Sequence, residues 1–183
     1  MPALLLCALA GCLAAAIPAP AAPAPLAVDP ARAALGGPGG PVPLADSVVI
    51  EKKAHRLTLY HLGRVIRQYR VALGADPEKD KLSVGDRRTP TGLFYIESRN
   101  SNSEYHLALR IAFPDSAHRA RAAALGLEPG GDIEIHGLQN GRGNTGAFHR
   151  TADWTNGCIA LTDEEIEEIW TSVPVGTPVE IRP

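Results

Sequence analysis

From Asp46 onward, apolar residues alternate with polar ones over short stretches, the spacing of half-buried strands. Val48-Val49-Ile50 predicts a first strand. Leu57 and Leu59 alternate with polar neighbours, and Val65, Tyr69, Val71 and Leu73 are expected on one face of the strand that follows. His61-Leu62-Gly63 between them predicts a hairpin turn. Thr89-Pro90-Thr91-Gly92 puts Pro and Gly in turn positions, and residues 93–96 resume extended structure. Residues 107–111, 133–135 and 179–181 are further strands. Two helices interrupt the pattern. Residues 117–125 are rich in Ala and Arg and stop at Gly126, a natural residue just past a helix end. The second opens on Thr162 and Glu165 in capping-box spacing and runs to Trp170. Its Asp163, Glu164 and Glu165 suit the positive end of the helix dipole and are expected as a solvated helix start without a catalytic role. Many strands with two short helices predict a mainly β domain, a sandwich or barrel.

Composition divides the chain. Residues 13–45 are dominated by Ala, Pro and Gly, with Asp29 and Arg32 their only charges. Pro at that density blocks helix and sheet alike, so residues 23–45 are expected as a disordered Pro/Ala-rich tether and residues 46–183 as the folded domain. No charge precedes Asp29, and the apolar run over residues 4–16 is too short for a bilayer span, so residues 1–22 predict an export signal. Leu9-Ala10-Gly11-Cys12 resembles a bacterial lipobox, which makes Cys12 a candidate for lipidation; cleavage later in the Ala-Pro stretch is the alternative. The expected location is the bacterial cell envelope, periplasmic or lipid-anchored, with the membrane met only through Cys12. Eighteen Lys and Arg against 20 Asp and Glu leave a net charge of −2, which excludes a sequence-independent grip on nucleic acid.

Of three cysteines, Cys7 and Cys12 fall in the signal, which leaves Cys158 without a disulfide partner. Such a thiol is either a buried small hydrophobe or kept for chemistry. Thr155-Asn156-Gly157-Cys158 is a small polar turn just ahead of a helix, able to present a side chain and aim backbone N–H groups at one point. A thiol needs a base, and His136, at a strand end before Gly137, is the first candidate. His149, in an expected exposed loop near the Gly/Asn-rich 140–146, is its competitor. Pairing with an imidazolium would lower the thiol pKa below its usual value of about 8.5. His136, His149 and Cys158 match no familiar metal spacing, so no metal is expected.

Asp153-Trp154-Thr155-Asn156-Gly157-Cys158-Ile159-Ala160 with His136-Gly137 ahead of it resembles the YkuD-type L,D-transpeptidases. Gly85-Asp86-Arg87-Arg88-Thr89-Pro90-Thr91-Gly92, Phe113-Pro114 and Gly130-Gly131-Asp132-Ile133 follow the same family in the same order, from about Val48 to Pro183. The resemblance implies an L,D-transpeptidase-like β domain without a cofactor, acting on peptidoglycan stem peptides in building and shaping the cell wall; a monomer is expected. It implies Cys158 as nucleophile on the diaminopimelate carbonyl of a tetrapeptide, releasing D-Ala, and His136 as general base oriented by the Gly137 carbonyl. Gly157 and Cys158 N–H groups would hold the oxyanion, and a second stem's side-chain amine would resolve the thioester into a 3–3 crosslink. Trp154, Asn156 and Arg88 are candidate substrate contacts, with Arg110 beside Arg88 as a possible holder of a stem carboxylate. Asn156 stands where relatives commonly carry His, and Ala160 where they often carry Arg or Asn. The same scaffold also suits an L,D-carboxypeptidase or other peptide hydrolase, and more distantly a non-catalytic peptidoglycan-binding protein.

Overall fold

The computed structural model describes residues 42–183, so the export signal, Cys12 and most of the expected tether lie outside the described residues. In chain order the elements are β1 (Ser47–Glu51), β2 (Arg56–His61), β3 (Arg64–Arg70), β4 (Gly92–Ser103), β5 (His106–Ile111), α1 (Ser116–Ala124), β6 (Glu134–His136), a kinked 3-10 segment (Gly143–Thr151), β7 (Ile159–Ala160), α2 (Asp163–Ser172) and β8 (Pro178–Arg182). The strands lie in the order β3-β2-β1-β8-β4-β5-β6-β7. β1 with β8 and β6 with β7 run parallel; the other pairs are antiparallel. Beyond β3 the chain reaches the far edge of the sheet, where Ala72 bridges Ala160 and Gly74 bridges Thr155. The two ends of the sheet thus meet, and the mainly β expectation takes the form of a barrel-like closure. Ile50, Leu57, Leu59, Ile96, Leu109, Ile135 and Ile159 fill its interior, and Ile166 and Ile169 of α2 join them. None of the described helices is long and apolar enough to cross a membrane.

Local chemistry explains the elements that match their prediction. The β2–β3 turn needs positive φ at two positions, and Leu62 (+50°) and Gly63 (+72°) supply it. Asp115 caps α1 by accepting from the His118 N–H, and the Thr162–Glu165 capping box closes as its spacing predicts.

Four expectations need correction. Val65 is 49% exposed while Ile66 is buried, because a register shift between Leu59 and Tyr60 leaves one extra residue on β3 and flips the alternation. Residues 89–91 form no assigned turn, and the reversal lies upstream around Gly85 (φ +78°). β4 continues to Ser103, so one strand serves both halves of the sheet, pairing with β8 through residues 92–95 and with β5 beyond. The packed domain begins before residue 46: Ala45 is buried and donates its N–H to the Ser172 carbonyl at 2.7 Å, and Val42 packs on the core.

Candidate active site

The site is built where β6 meets β7. Their register pairs Ile135 with Ile159 and His136 with Ala160, and both isoleucines are buried in the core. Strand alternation therefore sends Glu134, His136 and Cys158 to the opposite face. There the three line one cavity of about 340 Å³ together with Tyr105, Trp154 and Asn156.

His136 is 3% exposed, and its Nδ1 lies 2.7 Å from the Gly137 carbonyl oxygen. A carbonyl only accepts, so Nδ1 carries the proton and Nε2 keeps a free lone pair on the side of the cavity. Rings of Tyr105 (4.6 Å between centroids) and Trp154 (5.9 Å, edge-on) hold the imidazole in place. Burial lowers its pKa to about 4, against which the Gly137 hydrogen bond works and to which His149 adds. Gly137 must be glycine, since a Cβ there would stand 2.8 Å from Asp163 Oδ1 and 2.9 Å from Ile166 Cγ2.

The thiol is shifted the opposite way from the expectation of an ion pair. Burial pushes Cys158 up to about 11; a backbone hydrogen bond at Glu134 opposes this, and the Glu134 carboxylate reinforces it. The Cys158 Sγ donates to the Asp132 carbonyl at 3.4 Å. The resting pair is a neutral thiol and a neutral imidazole lining one cavity, because burial disfavours the charged form of each.

The turn before Cys158 is braced from three sides. Asp153 accepts from the Leu73 N–H at 2.8 Å and meets His55 Nε2 at 2.8 Å. Thr155 accepts from the Gly157 N–H at 3.1 Å and donates to the Cys158 carbonyl at 2.8 Å. Gly157 adopts φ +130°, and a Cβ there would lie 2.5 Å from the Arg88 carbonyl oxygen. The Gly85–Gly92 stretch thus packs directly behind the turn that carries Cys158. It is shaped by Asp86, whose carboxylate accepts from Lys81 Nζ (2.8 Å) and from the N–H groups of Leu82 (2.7 Å), Ser83 (3.0 Å) and Arg88 (3.0 Å). Burial alone would raise Asp86; these four donors outweigh it and hold the carboxyl at about 2.

The other sequence candidates divide. Trp154 and Asn156 line the cavity. Gly157 supplies space, not an oxyanion donor, because its N–H already bonds Thr155. The Arg88 side chain pairs with Asp76 at 2.8 Å, and Arg110 with Glu97 and Asp132, so neither is among the residues lining the cavity. His149 is not on an exposed loop: it is 9% exposed, packed behind Trp154, whose Nε1 faces its Nδ1 at 3.5 Å, and it lines a neighbouring cavity. Among the described residues no group of three or more His, Cys, Asp or Glu is placed to hold a metal. Sequence reasoning missed Tyr105, Glu134 and Asp163. Asp163 is not merely solvated, since its Oδ1 accepts from the Leu138 N–H at 2.8 Å and fixes the chain after His136-Gly137. Glu134 had a signal, a carboxylate two positions before the histidine on the same strand face.

Comparison with known proteins identifies one family of domains. A family model described as the YkuD L,D-transpeptidase catalytic domain matches residues 45–181. No curated protein matches the chain in sequence. Among solved structures the fold is similar to that of the helical cell shape determining protein Pgp2 from Campylobacter jejuni, at TM-score 0.56 and 23% identity over 75% of this chain and 47% of that one. It is also similar to Bdellovibrio bacteriovorus Bd1075 (TM-score 0.51, 18% identity, 75% of this chain and 48% of that one). An L,D-transpeptidase from Mycobacterium smegmatis gives TM-score 0.50 and 18% identity over 76% of this chain and 59% of that one. The chain spans about half the length of the first two.

Proposed function

The chain belongs to the YkuD family of L,D-transpeptidase catalytic domains, and on that basis we propose that it is a cysteine-dependent peptidoglycan L,D-transpeptidase of the cell envelope. The observation that carries this reading is the pairing of β6 and β7, which sets Cys158 and a His136 with a free Nε2 on one face of one cavity. Cys158 attacks the carbonyl of the diamino acid residue in a stem tetrapeptide. As Sγ approaches, Nε2 of His136 takes its proton, and the imidazolium formed is stabilised by its Gly137 hydrogen bond. Starting from a neutral pair, proton transfer and attack proceed together, since neither charge is stable in the resting site. The Cys158 N–H serves as backbone donor to the developing oxyanion. His136 then gives its proton to the leaving amine of D-Ala, and a second stem's amine resolves the thioester.

Incubating the protein with disaccharide-tetrapeptide and following products by mass spectrometry tests the reading. Dimers joined 3–3 are expected. Tripeptide alone makes the enzyme a carboxypeptidase, with water resolving the same thioester. Unchanged substrate, together with no covalent adduct from a carbapenem, leaves only a non-catalytic wall-binding role.

A further inference from the structure

The site contains a charged group that acylation does not use. Glu134 stands one position before the Ile135–Ile159 pair, which puts it opposite Cys158. Neighbouring strands lie about 4.8 Å apart, so a glutamate side chain on that face reaches the space just beyond Sγ. The cavity confirms the reach, for Glu134 is among its lining residues. Asp132, also at the cavity, is neutralised by Arg110 at 2.6 Å. Glu134 is half-buried, and its carboxylate makes no hydrogen bond or ion pair among the described residues; Arg110 acts on it only at longer range. No lysine or arginine lines the cavity. A half-buried, unpaired carboxylate in a cavity without cations favours a cationic ligand group and disfavours a second carboxylate.

We infer that Glu134 recruits the attacking amine: it holds the ammonium of the acceptor stem's diamino acid side chain beside the Cys158 thioester and accepts one of its protons. This rests on the acyl-enzyme reading above and names what selects an amine over water. The proton count closes. The acceptor arrives as R–NH3+ and passes one proton to the Glu134 carboxylate. The amine nitrogen attacks the thioester carbonyl, forming the C–N bond as the C–S bond breaks. His136 takes the second proton and delivers it to the departing sulfur. The products are the amide, which keeps the third proton, the Cys158 thiol and a neutral Glu134. Burial raises the affinity of Glu134 for a proton, and it outweighs the opposing pull of the more distant Arg110, as the step requires. Docking the ammonium also cancels the carboxylate charge that opposes the thiolate.

The test reads how one acyl-enzyme partitions, a ratio that does not depend on how fast it forms. Wild type and Glu134→Gln are acylated with disaccharide-tetrapeptide at neutral pH. They are then offered either a stem peptide bearing the diamino acid or hydroxylamine, a nucleophile uncharged at that pH. A hydrogen bond between charged groups carries roughly 10–100-fold in an equilibrium constant. The 3–3 product relative to tripeptide should fall by about that factor in Glu134→Gln, the hydroxamate ratio should change far less, and Glu134→Asp should recover part of the loss. An unchanged crosslink ratio, or an equal fall with both nucleophiles, overturns the inference and leaves the transpeptidase reading standing. Tripeptide alone from the wild type overturns both.

Discussion

Replacing Asp86 by Asn tests whether the segment packed behind Cys158 is held by one carboxylate. Asn keeps the shape but cannot accept on both arms: Lys81 Nζ and the Arg88 N–H lie on Oδ1, and the Leu82 and Ser83 N–H groups on Oδ2. Either orientation of the amide turns its NH2 toward two donors and leaves the Lys81 ammonium, 3% exposed, without a carboxylate. Two routes give the size of the loss. A carboxyl held at about 2 in the folded state against about 3.9 unfolded contributes about 2.5 kcal/mol at neutral pH. Removing one partner of a buried ion pair costs about 3–5 kcal/mol. About 3 kcal/mol is the expectation, a large share of an ordinary stability of about 5–15 kcal/mol. The folded pKa is depressed, so the contribution is fully present above the unfolded value, about half gone near pH 3, and lost as pH falls through about 2. Urea unfolding of both proteins at pH 7 and at pH 3 measures it, with carbapenem acylation of Cys158 as the functional readout. A gap below about 1 kcal/mol at pH 7, or one that does not narrow at pH 3, refutes the reasoning.

The nucleophile turn has its own steric test: Gly157→Ala combines φ +130° with a 2.5 Å approach to the Arg88 carbonyl. It should cost about 2–5 kcal/mol and slow acylation by at least about 10²-fold, so a wild-type melting curve would contradict the packing described. Cys158→Ala should abolish the carbapenem adduct in intact-mass spectra, and His136→Ala should slow its formation by about 10²–10⁴-fold. His149→Ala, which only loosens Trp154, should slow it less than about tenfold; the reverse ranking would name His149 as the base. His136 and His149 are both held near pKa 4, below the usual 6.5. The unfolded chain therefore takes up their protons first, and stability should fall between about pH 6.5 and 4 by about 3 kcal/mol for each. Chemical denaturation across that range would show it, and His136→Asn should remove about half of the slope.

What the sequence reveals is what short-range rules decide. The Thr162–Glu165 box, the Leu62-Gly63 turn and the apolar runs of β1, β2 and β5 are fixed by neighbours a few residues away, and each is legible. His136 and Cys158 are legible for a different reason, since their flanking glycines and turn residues form a pattern that resembles a family. The parts that misread depend on distant partners. The extra residue at Ile66 shows only once β2 is alongside, and the burial of His149 only once Trp154 covers it. Arg88 reads as a substrate contact until Asp76 is found beside it. The direction of the Cys158 shift follows from the surrounding desolvation and from a carboxylate on the next strand, so the histidine alone misleads.

β8 lies between β1 and β4, so within the sheet order it joins the β1–β3 strands to those that carry the site. It is also the last strand in chain order. A chain that appears N-terminus first can pair β1 with β2 and β3, and β4 with β5 and β6, before the piece that unites them exists. The two halves must wait, and contacts of such long separation form slowly. Val179 and Ile181, buried at the centre, then lock both halves together. The sheet that carries Cys158 is thereby completed only once its central strand has emerged.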